Sequence, residues 1–297
     1  MIVGGIPLLF GESAGGKKAI FGYGYDVGTT SLTNLVSNIG VVSADVAGVG
    51  TARYAPAAAG YGTGKAIFGY GNTLGTNVSM TNLVSDAGVV AADTTGVGTA
   101  RHLLAAASYG TDKAIFGYGN TGSNVSLTNL VSNTGVVSSD VTGVGTARSE
   151  LAAASYGTDK AIFGYGYTTS NSSLTNLVSN TGVVAANTTG VGTARNSLAA
   201  TGYGTDKAIF GYGGASLSMT NLVSNAGVVS TDTTGVGTGR YGLAAAGYGT
   251  DKAIFGYGYD VGTLSITNLV SNTGVVSSDV TGVGTARYYL AAASFGA

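Results

Sequence analysis

The heptapeptide KAIFGYG recurs six times, with its lysine at Lys18, Lys65, Lys113, Lys160, Lys207 and Lys252 and spacings of 47, 48, 47, 47 and 45 residues. A second anchor, GVGTAR or its variant GVGTGR, places Arg53, Arg101, Arg148, Arg195, Arg240 and Arg287 once in each unit. Near-copies of this length restrict the fold to architectures in which each unit packs on the next, as a ring or as a stack. Helical arrays are excluded by 52 glycines in 297 residues and by the lack of a sustained 3.6-residue apolar period.

A single unit shows what is repeated. Leu151–Ser155 is a run of small residues, and Tyr156-Gly-Thr-Asp-Lys160 is a turn signal leading into Ala161–Tyr165, a strand rich in β-formers. A Ser/Thr/Asn-rich loop precedes the third strand, Leu174–Val178, and Asn180-Thr181-Gly182 turns the chain into a fourth, Val183–Ala186. Each unit thus reads as a four-stranded antiparallel meander that cannot bury both faces alone. The expected fold is all-β, a six-bladed β-propeller over residues 17–297, with residues 1–16 as an N-terminal segment that serves as an anchor or a degenerate strand. Small side chains belong near the axis, so the alanine-rich strand is innermost, and Ile162, Phe163, Leu174, Leu177 and Val183 belong between blades. A β-solenoid is the rival fold. Two routes complete the first unit. Either Leu290–Ser294 pairs with Ala19–Tyr23 and latches the ring, or Pro7–Ser13 supplies a degenerate innermost strand.

Composition narrows the function. A formal charge of −1 with no cluster of Lys or Arg offers no field for phosphate backbones, so nucleic acid is not an expected partner. The chain has no cysteine, which removes disulfides, thiolate nucleophiles and Cys-based metal sites. Residues 1–16 carry neither a basic leader region nor a membrane-length apolar run, so neither a cleaved signal peptide nor membrane insertion is expected.

The repeated KAIFGYG, SNTGVV and GTAR motifs resemble the kelch repeat, standing where that family has a Gly doublet, a turn before an outer strand and an Arg before the next inner strand. The resemblance runs from Lys18 to Ala297, with Gly-Tyr-Gly in place of Gly-Gly and no outer-strand Trp. It implies a closed propeller. The near-identity of the units and their Ser/Thr/Gly/Ala bias also resemble repeat proteins of tailed-phage and metagenomic virus particles. That likeness implies a virion or extracellular surface location, with residues 1–16 as a contact to other virion proteins.

Two places differ between units: the loop after KAIFGYG and the residue pair after each Arg. They supply the candidate binding residues Tyr25, Tyr54, His102, Asn120, Tyr167, Asn196, Tyr241, Tyr259, Tyr288 and Tyr289. Both connections emerge at one end of an up-and-down blade, and a surface of Tyr, Asn, Ser and Thr suits a glycan or protein receptor, through ring stacking and short hydrogen bonds. Drift in loops is the plain alternative. The six Arg, and the Asp that recurs once per unit except at Asn187, are read as structural clamps. Asp112, Asp159, Asp206 and Asp251 are read as turn chemistry. His102 stands alone, and Gly-Tyr-Gly is followed by no βαβ unit, so no catalytic residue, metal site or cofactor is expected. The expected role is a non-enzymatic structural or adhesive module. The alternatives are an architectural capping protein and a carbohydrate-active propeller enzyme, which would need paired carboxylates across the central channel. Self-association into a homo-oligomer stays open.

Overall fold

The computed structural model describes residues 16–296, so the alternative inner strand at Pro7–Ser13 lies outside the described residues. Within them the secondary structure is all β, with no helix. The strands are β1 (Lys18–Gly22), β2 (Thr33–Val36), β3 (Ala57–Tyr61), β4 (Lys65–Gly69), β5 (Thr81–Val84), β6 (Ala105–Tyr109), β7 (Lys113–Gly117), β8 (Thr128–Val131) and β9 (Ala152–Tyr156). They continue as β10 (Lys160–Gly164), β11 (Thr175–Val178), β12 (Ala199–Tyr203), β13 (Lys207–Gly213), β14 (Leu217–Val223), β15 (Ala244–Tyr248), β16 (Lys252–Tyr259), β17 (Thr263–Val270) and β18 (Ala291–Phe295).

They form six three-stranded antiparallel sheets, propeller-like in arrangement. The first sheet has the order β18-β1-β2, the second β3-β4-β5, and so on to the sixth, β15-β16-β17. In the first sheet the alanine-rich strand comes from the far end of the sequence, and Lys18 pairs with Phe295 and Gly22 with Ala291. The alanine-rich strands touch one another in succession, β3 on β6, β6 on β9, β9 on β12, β12 on β15, β15 on β18 and β18 on β3. Only small side chains allow this approach. Where serine occurs it bonds across, Ser155 Oγ donating to the Ser108 carbonyl at 2.8 Å and Ser294 Oγ to that of Gly247 at 2.8 Å.

The sheets join through one repeated device. In KAIFGYG the first glycine is a hole for the Phe of the next sheet: a Cβ on Gly117 would lie 2.6 Å from the ring of Phe163. The following tyrosine, Tyr118, meets the same ring edge-on at 5.1 Å. On its other face lies Arg148, whose guanidinium carbon is 4.4 Å from the ring centre. Arg148 is fully buried and donates Nη2 to Asn176 Oδ1 at 2.6 Å, Nε to the Tyr165 carbonyl at 2.9 Å and Nη1 to the Thr146 carbonyl at 3.1 Å. Tyr165 holds φ at 63°, in the left-handed region; its carbonyl is the acceptor of the Arg148 Nε bond. The joint between the sixth and first sheets has the same parts, with Arg287 over Tyr257 at 4.4 Å and its Nη2 on Asn34 Oδ1 at 2.7 Å.

The sequence reading expected a fourth strand per unit, and this segment is held only by isolated bridges. In the fourth sheet these are Val178 with Val184 and Thr175 with Thr188, one residue out of register with each other. A side chain interrupts the ladder, because Asn176 Nδ2 takes the Ala185 carbonyl at 3.0 Å. The slip also changes which valine packs: Val183, expected between blades, is 66% exposed, whereas Val184 lies against the core with Phe163 and Val178. Leu177, also expected between blades, packs half-buried against a second cluster.

Candidate functional site

The two variable regions meet at one end of each sheet. Tyr25 bridges Tyr288, Tyr54 bridges Asn72, His102 bridges Asn120, Ser149 bridges Tyr167 and Tyr241 bridges Tyr259. In the fifth sheet Gly214 donates its N–H to the Asn196 carbonyl at 2.7 Å.

Next to these pairs the chain forms a hoop of main-chain hydrogen bonds. The N–H of Ala55 donates to Tyr289, Leu103 to Ala55, Glu150 to Leu103, Ser197 to Glu150, Gly242 to Ser197 and Tyr289 to Gly242, at 2.6–3.2 Å. All six residues have positive φ, between 49° and 62°, and only one of them is glycine. In that conformation amide and carbonyl both point along the hoop, which offsets the left-handed strain. The six hoop residues and the residues that follow them, Pro56, Leu104, Leu151, Leu198, Leu243 and Leu290, line a cavity of ≈ 70 Å³.

Above the hoop the aromatic side chains collect. Tyr288 stands at the centre, its ring 5.1 Å from Tyr289, 5.2 Å from Tyr259, 5.7 Å from Tyr25 and 6.4 Å from Tyr241. Tyr54 extends the cluster, 6.0 Å from Tyr25 and 6.4 Å from Tyr289, and His102 ends it at 6.2 Å from Tyr54. The rings therefore form an arc over the sixth, first, second and third sheets. Tyr167, on the fourth sheet, lies outside the arc and is 39% exposed. Asn120 is committed to its own loop, where its Oδ1 accepts the Gly122 N–H at 2.7 Å.

Opposite the arc is a polar group made by the candidate Asn196 together with Glu150 and Ser197, which the candidate residues did not include. The Glu150 carboxylate accepts a short hydrogen bond from Ser197 Oγ and another from Asn196 Nδ2 at 2.8 Å. Ser197 Oγ is also 3.3 Å from the Tyr289 hydroxyl, so aromatic and polar sides touch across the hoop. Burial, and then the charge of Glu150, push Tyr289 up to about 12, which keeps its hydroxyl protonated and able to donate. Burial pulls His102 below its ordinary 6.5, so its ring is neutral at pH 7. The signal for Glu150 and Ser197 was present in the sequence, since they are the second residues of the variable pairs after Arg148 and Arg195, the place that Tyr289 holds after Arg287.

The six Arg take no part in this surface; each is buried in a joint. The repeated Asp belongs to those joints too. Asp93 accepts from the Thr51 hydroxyl at 2.6 Å and from Asn82 Nδ2 at 2.9 Å, and Asn187 does the corresponding work in the fourth unit through Thr146 Oγ1 at 2.7 Å. No family model matches the chain and no curated protein matches it, so the kelch resemblance rests on the motifs alone and the virus-particle one on the near-identity and composition of the units.

Proposed function

We propose that the six sheets are the blades of a closed six-bladed propeller, kelch-like in its repeated motifs, that acts as a non-enzymatic binding module and presents the aromatic loop face to a glycan receptor. The succession of touching inner strands, the hoop of main-chain bonds and the Arg287 joint support the ring. Small-angle scattering tests it: a compact body of this length has a radius of gyration of about 19 Å, and a larger value with a rod-like profile overturns it.

The observation that carries the function is the gathering of unit-to-unit variation into one arc of half-buried tyrosines beside short polar groups, a surface on which sugar rings stack and hydroxyls bond. The wide channel between the inner strands, ≈ 410 Å³, has Asp251 as its single acidic lining residue among the described residues. That disfavours a hydrolase reading, which needs two carboxylates facing each other. Replacing Tyr25, Tyr54 and Tyr288 by Ser should abolish glycan-array signals while leaving the fold intact; unchanged signals overturn the proposal. A protein receptor is the second reading, favoured by the loop tips, where Val27 is 96%, Val261 95% and Leu74 62% exposed. If it holds, V27S/L74S/V261S removes binding and the tyrosine variants matter less.

A further inference from the structure

The two ends of the molecule differ in their lysines, which at one end stand beside Asp112, Asp159, Asp206 and Asp251. All seven lysines, from Lys17 to Lys252, stand at or just before the start of a KAIFG strand, at the end away from the aromatic arc. The six arginines have no exposed surface. Around the arc the ionisable groups are therefore Glu150, Asp26, Asp260, the tyrosines and the neutral His102. Asp26 and Asp260 belong to neighbouring loops that Thr263 links, its hydroxyl donating to Asp26 Oδ1 at 3.2 Å. Glu150 is the one carboxylate in the hoop, across from Tyr289.

Aromatic faces carry negative potential, and carboxylates next to them add to it with no solvent-exposed lysine or arginine beside them, the nearby arginines being buried and bonded within the joints. A neutral sugar gains stacking from such a surface but brings no positive charge to carboxylates that are hydrogen-bonded only by neutral groups, and an acidic sugar is repelled by them. We infer that this face takes a saccharide bearing a protonated amine, its ring on the tyrosine arc and its ammonium group toward Glu150. The inference rests on the glycan reading above and specifies its ligand class. The amine is bound, with no bond made or broken.

The test compares two probes of equal length, an oligomer of glucosamine and the same oligomer fully N-acetylated, by titration calorimetry on the full chain at pH 6 and low salt. The free amine is expected to bind about tenfold more tightly. E150Q, which keeps an acceptor for Ser197 and Asn196 but removes the charge, should cut that preference to below about threefold. Equal affinity for the two probes overturns the inference while leaving the glycan reading in place. Binding by neither probe overturns the inference, and a silent glycan array beside it removes the reading beneath. If E150Q does not fold, D26N/D260N on the loop tips decides the matter: a reduced preference supports the inference and an unchanged one overturns it.

Discussion

The joints between sheets and the loop face treat the same repeat in opposite ways. At every joint the parts are the same Arg, Tyr, Asn, Phe and Gly, and each is buried against a partner from the neighbouring unit. At the loop face the position after Arg is Tyr54, His102, Ser149, Asn196, Tyr241 and Tyr288 in turn. The difference lies in which atoms hold the structure. In a joint the side chains make the bonds, so changing one strands the others in a dry environment. In the hoop the main chain makes them, so Ala, Leu, Glu, Ser, Gly and Tyr all serve at the donor position. Variation gathers where the repeated bonds are made by the main chain and side-chain bonds differ from unit to unit.

The contrast breaks most directly at an arginine. R148A leaves Asn176 Oδ1 and the Tyr165 carbonyl without their donor, and the expected cost is about 3–5 kcal/mol in urea unfolding; a loss under about 1 kcal/mol would mean the joint is not what holds the sheets together. G117A tests the hole for Phe163 and should cost about 1–3 kcal/mol, with F163L in the same chain restoring part of it.

Acid gives a smaller, graded effect. Burial raises the carboxyls of Asp45, Asp93, Asp140, Asp232 and Asp279, but hydrogen bonds from Thr and Asn outweigh it and bring them below the ordinary 3.8. Their folded value is depressed, so their contribution is complete above the unfolded value near 3.8 and is lost as pH falls through the lower folded one. D140N, copying Asn187, should flatten the acid limb of a stability-versus-pH curve, and an unaltered limb would show that these clamps do not titrate with unfolding. The smallest effect on stability is expected at the face: Y54S should change unfolding by less than about 1 kcal/mol while weakening the glycan binding proposed for it. A larger destabilisation would make the arc part of the scaffold.

The repeat was legible because its period is written six times, and so was the placement of variable residues, since two connections at the same end of a meander must meet. The hoop was not legible. It depends on left-handed φ at residues such as Leu103 and Glu150, which have no preference for that region, and on bonds between main-chain atoms that leave no mark on residue type. The fourth strand was over-read for a related reason. Val183 and Val184 have strand propensity, but the Asn176 side chain intercepts the ladder, and a one-residue slip moves Val183 into solvent. Gly164 was read as a residue within the strand Ala161–Tyr165, whereas Gly117 and its equivalents, Gly164 among them, are sockets for a neighbour's ring.

The main-chain hoop has a consequence for engineering. Because it asks nothing of the residues that precede each of its six donors, those positions can be randomised together as a combinatorial library on an unaltered framework. New specificities could then be selected from this chain as they are from antibody loops, with the buried arginines left as the constant region.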